Sequence, residues 1–470
     1  MSSTQSDNLP NNQPNDPNGP VVIPRALHAV SRREISPAAL KVLYRLKDAG
    51  YQAFLVGGAV RDLLLGRTPK DFDVVTNAHP EQVRDLFRSC RLIGRRFHLA
   101  HVRVGPEIIE VATFRASHTI IDEDNSVDED TRRVTDNHGR ILRDNLYGTI
   151  DEDIWRRDFT ANALYYNIAD YSIWDYTNGV LDAEQRVLKL IGDPETRYRE
   201  DPVRMLRAIR FAAKLDFKID KATATPISKL AYMVDSVPAA RLFDEVTKLF
   251  LAGSGLQSFK LLREYGLLEH LFGDLDAVLK KDDAASLRMV ELGLSNTDER
   301  VRADKSVTPA FLCALLLWPM VRQQSMAHAR SQESGQLDFG AIQYAFDTVC
   351  TRMVKRVAIP KRFSLTSREV LALQSRFDYR SGRRSLRVLD HPRFRAAYDF
   401  LLLRAAAGEV DQEVADWWTE IQTLPPEARI EKVETRMDTN PGTESGTTAG
   451  SKPPAARKKR RRSPRRKPAV

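Results

Sequence analysis

Apolar residues in the first 115 positions come in short blocks whose spacing switches between strand and helix patterns. Ser36-Pro37 opens a helix, with a hydroxyl to cap it and proline in its first turn, and Gly50 closes it. The block Phe54-Leu55-Val56 predicts a strand over 52–57, followed by a helix over 59–65. A strand over 72–76 and a helix over 80–90 come next, then a hairpin of Phe97 to Val104 and Glu107 to Arg115 around Gly105-Pro106. Strands alternating with helices predict a small α/β unit. Residues 116–140 are polar and acidic and predict a mobile excursion, after which Leu142-Arg143-Asp144-Asn145 restores order. Tyr165-Tyr166-Asn167 and Ile173-Trp174-Asp175-Tyr176 predict further short strands, closing at Asn178-Gly179.

From about residue 200 to 422 the pattern becomes helical. Stripes such as Leu242, Val246, Leu249 and Phe250, then Leu256, Phe259 and Leu262, recur at three- and four-residue spacing with no fixed repeat. Trp417-Trp418 reads as core. The fold class expected is α+β: a head with a mixed sheet, then an all-α neck and body. The divisions are a disordered segment 1–24, a head 25–195, a neck 196–255, a body 256–423 and a disordered basic tail 424–470.

Composition narrows the setting. The chain has 470 residues and three cysteines, Cys90, Cys313 and Cys350, far apart and without a Cys-x-x-Cys pair, which fits a reducing compartment. Met1 to Asn18 has no lysine or arginine and no apolar core, unlike a signal or transit peptide. The longest apolar run, Phe311 to Val321, contains Pro319 and is too short to span a bilayer. A soluble, cytoplasmic protein without membrane insertion is expected. Residues 451–470 hold ten Lys/Arg and no acid, so removing those ten from the net charge of +9 leaves −1 on residues 1–450. The basicity belongs to the run Arg457 to Lys467, which suits a phosphate backbone.

The candidate chemistry starts with Gly57-Gly58-Ala59-Val60-Arg61-Asp62, a glycine turn between strand and helix, and Asp71-Phe72-Asp73 shortly after it. Bare backbone at a helix start can approach a phosphate. Two carboxylates on one strand face can hold magnesium, which also takes phosphate oxygens. Other Asp-x-Asp pairs (Asp122/Asp124, Asp128/Asp130, Asp151/Asp153, Asp274/Asp276) sit in polar stretches or beside turns and read as solvated acids. Glu110 interrupts an apolar strand on the face of Ile108 and Ala112, so it needs a cation or a shifted pKa. A third metal-facing carboxylate and a salt bridge to Arg103 or Arg115 both satisfy that.

Arg156-Arg157-Asp158-Phe159-Thr160 joins forked cations to an acid; the arginines could take a triphosphate or a base edge, and Asp158 a ribose hydroxyl or the metal site. Glu200-Asp201-Pro202-Val203-Arg204-Met205-Leu206-Arg207 opens a helix capped by Asp201, with Arg204, Arg207, Arg210 and Lys214 on its polar side. Asp201 and the first arginines offer acceptor and donors for a nucleobase edge. Arg376, Arg380, Arg383, Arg384 and Arg387, interleaved with Phe377 and Tyr379, could grip a strand and stack bases, or simply form a helix surface. P-loop, HExxH and GxSxG patterns are absent, which lowers the case for a P-loop NTPase, a zinc protease or an α/β-hydrolase.

Together, Leu55 to Asp62, Lys70-Asp71-Phe72-Asp73, Glu110 to Arg115, Arg156 to Thr160 and Glu200 to Arg204 resemble the bacterial poly(A) polymerase and CCA-adding tRNA nucleotidyltransferase superfamily over roughly residues 25–420. Leu92 to Val102 and the arginine-rich C-terminus resemble its poly(A) polymerases. The resemblance implies a polymerase β-like nucleotidyltransferase head, and template-independent addition of AMP from ATP to RNA 3′ ends in RNA processing and decay. It implies two magnesium ions on Asp71 and Asp73, with manganese as a substitute. Glu110 and Asp158 stand as candidates for a further catalytic acid. Gly57, Gly58, Arg61 and Asp62 would hold the triphosphate, and Arg157, Asp201, Arg204 and Arg207 the ribose or base. RNA would lie on the helical body and the tail Arg457 to Lys467. CCA addition to tRNA and a non-catalytic RNA-binding scaffold are the alternatives; protein partners are not readable from the sequence.

Overall fold

In the computed structural model, which describes residues 19–94, 98–116, 134–135, 141–143, 146–281, 284–331 and 338–438, the N-terminal apolar blocks pair into one sheet. Up to residue 175 the strands are β1 (Val21–Ile23), β2 (Ala53–Val56), β3 (Asp73–Thr76), β4 (Cys90–Ile93), β5 (Leu99–Val104), β6 (Glu107–Thr113), β7 (Val134–Thr135), β8 (Ile141–Arg143), β9 (Leu164–Asn167) and β10 (Ile173–Asp175). Eight of them run in the order β1-β10-β9-β2-β3-β6-β5-β4, and β7 and β8 form a separate pair. Only β3 and β6 are parallel within the sheet, which makes it mixed as expected.

Alternation along the strands gives the sheet two buried faces. Leu55, Val74, Val111 and Tyr166 pack with Val42 and Leu43 of the helix Pro37–Asp48. Phe54, Val56, Val75 and Tyr165 pack with Phe114, Ile150 and Ile154. Register then places functional side chains in a row on this second face. Tyr165 pairs with Val56, and Val56 with Asp73. One residue ahead of the Val74–Val111 pair, Asp73 adjoins Glu110, which pairs with His101.

Beyond the sheet the chain is largely helical from Pro194 to Asp438. One apolar core runs through it, from Phe159 to Val433, with no break at the expected boundary at residues 255/256. The helix Gly255–Glu264 packs directly on the helix Val203–Leu215. Trp418 is buried as expected, and its indole donates to the Phe377 carbonyl at 2.8 Å. Among the described residues no helix is long and apolar enough to cross a membrane.

Several expected boundaries shift. Val21–Ile23, placed in the disordered segment 1–24, pairs with β10 because its β-branched residues complete the sheet edge. The helix expected to reach 90 ends at Leu86; Phe87 turns extended, and Cys90–Ile93 becomes the opposite edge strand. The tail expected from 424 begins as a helix, Pro426–Asp438, which buries Val433 against the body. Asp153 and Asp276, read as solvated, are buried and paired. Residues 1–18, most of the 116–140 excursion with its pairs Asp122/Asp124 and Asp128/Asp130, and the run Arg457 to Lys467 lie outside the described residues.

Candidate active site

The row on the sheet opens into a cavity of about 810 Å³, closed on the far side by the helices Val203–Leu215 and Ala239–Phe250. Its wall brings together every candidate of the glycine turn, both aspartates, Glu110, Asp158 and the arginines of the 156–157 and 201–207 segments.

The turn is shaped by backbone demands. β2 ends at Val56, and Gly57 has φ of +76° before the helix Gly58–Leu64 begins. A side chain at Gly57 would find ordinary space, 3.6 Å from the Asn162 carbonyl, so the left-handed backbone is what requires glycine. Arg61 is buried, with Nε and Nη2 on Asp62 Oδ1 at 2.9 and 2.7 Å and Nη1 on Asn162 Oδ1. It braces the turn while forming part of the wall.

Asp73 opens β3 and Asp71 precedes the strand, so only Asp73 takes its direction from the sheet. Asp73 is open to the cavity, but desolvation by the surrounding walls first, then the like charges of Glu110 and Asp71, push its carboxyl up to about 6, opposed by Arg157. A carboxyl raised by the charge of its neighbours fits a site for a divalent cation, whose charge would relieve the repulsion. Among the described residues no three acidic, histidine or cysteine side chains form a ready-made metal cage. The donors suit magnesium, which pairs one or two carboxylates with water and substrate phosphate oxygens. Glu110, expected to be buried, is half exposed, with Oε1 3.2 Å from Nε2 of His101 rather than bridged to Arg103 or Arg115. The strand is open to the cavity there, so the carboxylate stays hydrated.

Asp158 differs. Burial acts to raise its pKa, but the Arg207 guanidinium and the Phe159 amide hold the carboxyl below the usual range. Arg207 Nε donates to its Oδ2 at 2.8 Å, with Nη2 on the same oxygen. Asp201 caps its helix through Oδ1 to the Val203 amide at 3.2 Å, and Arg241 forks onto both of its oxygens at 2.9 and 2.6 Å. Arg204 donates to Glu200 at 2.8 Å, and Glu200 also takes Arg197 at 2.9 Å. Arg210 and Lys214, on a face that could have been solvated, line the cavity instead. In the second basic cluster, Phe377 is fully buried and Arg380 is paired with Glu413 at 2.8 Å; Tyr379 alone of its two aromatics is exposed.

Sequence reasoning missed Arg241 and Lys248, which line the cavity from the helix Ala239–Phe250, together with Asp153 and His101. Arg241 stands 40 residues from Asp201, and no local pattern marks it. Asp153 did carry a signal, lying four residues before Arg157, the spacing of a helical ion pair.

Residues 53–189 match the poly A polymerase head domain, 216–279 the probable RNA and SrmB-binding site of polymerase A, and 334–467 the polymerase A arginine-rich C-terminus. The chain is 50% identical to poly(A) polymerase I of Salmonella typhimurium over 413 residues, 87% of each chain. It is 36% identical to the CCA-adding enzyme of Lactobacillus helveticus over 231 residues, 49% of this chain and 54% of that one. The crystal structure of the Bacillus stearothermophilus CCA-adding enzyme in complex with CTP matches 86% of this chain and 83% of its own, at 25% identity and a TM-score of 0.50. A tRNA nucleotidyltransferase complexed with a primer tRNA and an incoming ATP analog shares the fold over 81% of this chain and 98% of its own, at 20% identity and a TM-score of 0.54. The mixed-sheet head, the acid-lined cavity and this likeness along most of the chain make it a member of the poly(A) polymerase family of nucleotidyltransferases.

Proposed function

We propose that the protein adds AMP from ATP to RNA 3′ ends without a template. The RNA 3′ oxygen attacks the α-phosphorus and pyrophosphate leaves. Asp71 and Asp73 would hold magnesium, and Glu110 joins them in preference to Asp158, whose charge Arg207 already neutralises. Bound there, two magnesium ions would ease deprotonation of the attacking hydroxyl and offset charge on the leaving pyrophosphate. The chain's own groups bind and orient. The Gly57-Gly58 turn lets backbone approach the triphosphate, and Arg157 faces it from the cavity wall, just after the turn Ile154–Arg156. Arg204 and Arg207 line the ribose and base end with Asp201, fixed by its cap and by Arg241. An adenine amino group can donate to a carboxylate there, and an arginine can donate to a ring nitrogen. Arg210, Lys214 and Lys248 add positive charge that compensates the phosphates.

The observation that carries this reading is the Asp73 carboxylate, crowded by Asp71 and Glu110 two strands from Tyr165 and directly beside the glycine turn. Likeness to poly(A) polymerase I along 87% of the chain, against 49% for the CCA-adding enzyme, favours AMP over CCA addition. The test supplies an RNA transcript or tRNA lacking its 3′ CCA with ATP and CTP separately. Long AMP tails on the transcript are expected. Clear CMP incorporation would move the protein to CCA addition, and no incorporation with magnesium or manganese would leave an RNA-binding scaffold.

A further inference from the structure

Asp153 and Tyr165 line up behind Arg157 in a way that none of the sequence motifs requires. Asp153 Oδ2 accepts from Arg157 Nε at 3.1 Å, from Arg157 Nη2 at 2.9 Å and from the Tyr165 hydroxyl at 2.9 Å. Its Oδ1 accepts from the Arg115 amide at 3.3 Å. Having donated its proton to Asp153, the Tyr165 oxygen accepts from Arg157 Nε at 2.7 Å, and the guanidinium carbon stands 4.9 Å from the ring centroid. Tyr165 is fully buried and Asp153 nearly so. These groups together fix the Nε and Nη2 edge of the guanidinium, and Nη1 is the amino group left uncommitted by that pair. Tyr165 lies in one row with Val56 and Asp73, and Arg157, packed on the Tyr165 ring, lines the same cavity.

We propose that Asp153 and Tyr165 are positioning residues that aim Arg157 at the triphosphate, in line with Asp73. The inference rests on the reading of Arg157 as a triphosphate contact. An arginine free to rotate would give up rotamer entropy on each binding event; one held by a carboxylate and a phenol is already placed.

Tyr165→Phe removes the hydroxyl and keeps the ring. We expect ATP affinity and KM to weaken about tenfold, the scale of one hydrogen bond to a charged group, with kcat at saturating ATP changed much less. AMP, which lacks the outer phosphates, is expected to bind the variant as it binds the parent. In an Arg157→Lys background the added Tyr165→Phe change should cost less than about twofold, because its effect passes through the arginine. Asp153→Asn serves as the second variant, with the same pattern expected. If Arg157→Lys leaves ATP affinity unchanged, the triphosphate reading of Arg157 fails. If Arg157→Lys weakens ATP but Tyr165→Phe does not, or weakens AMP equally, or multiplies with Arg157→Lys, the positioning role is overturned and the reading of Arg157 survives.

Discussion

Replacing Asp158 by alanine would strip Arg207 of its counter-charge while leaving it among Arg204 and Arg210 in the cavity wall. The pair has two donors on one oxygen and side chains 13% and 33% exposed. Removing one partner of a fully buried pair costs about 3–5 kcal/mol. Arg207 reaches the hydrated cavity, which screens it, so about 2 kcal/mol is expected here. Because the folded carboxyl sits below its ordinary value, this stability is present above the unfolded pKa and is lost as pH falls through the folded one. Denaturant unfolding followed by circular dichroism would measure it, in a cycle with Arg207→Met. Asp158→Ala is expected to destabilise, and the double variant to lose less than the sum of the single changes. Turnover should fall in Asp158→Asn and Arg207→Met together, since both disturb the same arginine. Additive stability changes would refute the pairing. A collapse of turnover in Asp158→Asn with Arg207→Met near parental would restore Asp158 as a catalytic acid.

Four other outcomes follow from the structure and the sequence. With the Asp73 carboxyl near 6, manganese affinity measured by electron paramagnetic resonance should fall as pH drops below that value, toward about tenfold per unit. Its raised folded pKa means metal-free stability declines as pH rises from about 4 to 6, so Asp73→Asn should gain melting temperature over the parent at pH 7.5 but not at pH 4. Gly57→Ala must adopt a φ of +76°, which costs about 1–2 kcal/mol and should lower ATP affinity, as calorimetry would show. Deleting residues 451–470 removes ten basic residues and should reduce the salt slope of RNA binding by about 0.7 for each RNA phosphate the tail had neutralised, with ATP affinity unchanged.

What the sequence revealed and what it hid follow from the range of each interaction. β2, the glycine turn, β3 and the β5–β6 hairpin were readable because their signals are local: alternation, Gly57 and the punctuation at Gly105-Pro106. The helix Val203–Leu215 was readable from Asp201-Pro202 and its apolar face. Pairings across the fold were not. Arg241 meets Asp201, Arg207 meets Asp158 and Tyr165 meets Asp153 only after the neck folds onto the sheet or the strands take their register. Exposure was misjudged for the same reason: Glu110 looked buried on its strand and Asp153 looked solvated in its acidic turn, and the cavity reversed both. The edge strands β1 and β4 escaped because β1 is three residues at the end of a polar, proline-rich stretch and β4 follows its helix with no glycine or proline between to mark the change.

The most direct test of the central claim is the rate of AMP incorporation into RNA by the Asp71→Ala, Asp73→Ala double variant, with magnesium and saturating ATP. The account predicts a fall of at least about 10³-fold while the variant still folds and binds RNA. A rate within about tenfold of the parent would contradict it, since no other Asp-x-Asp pair lies beside the glycine turn among the described residues.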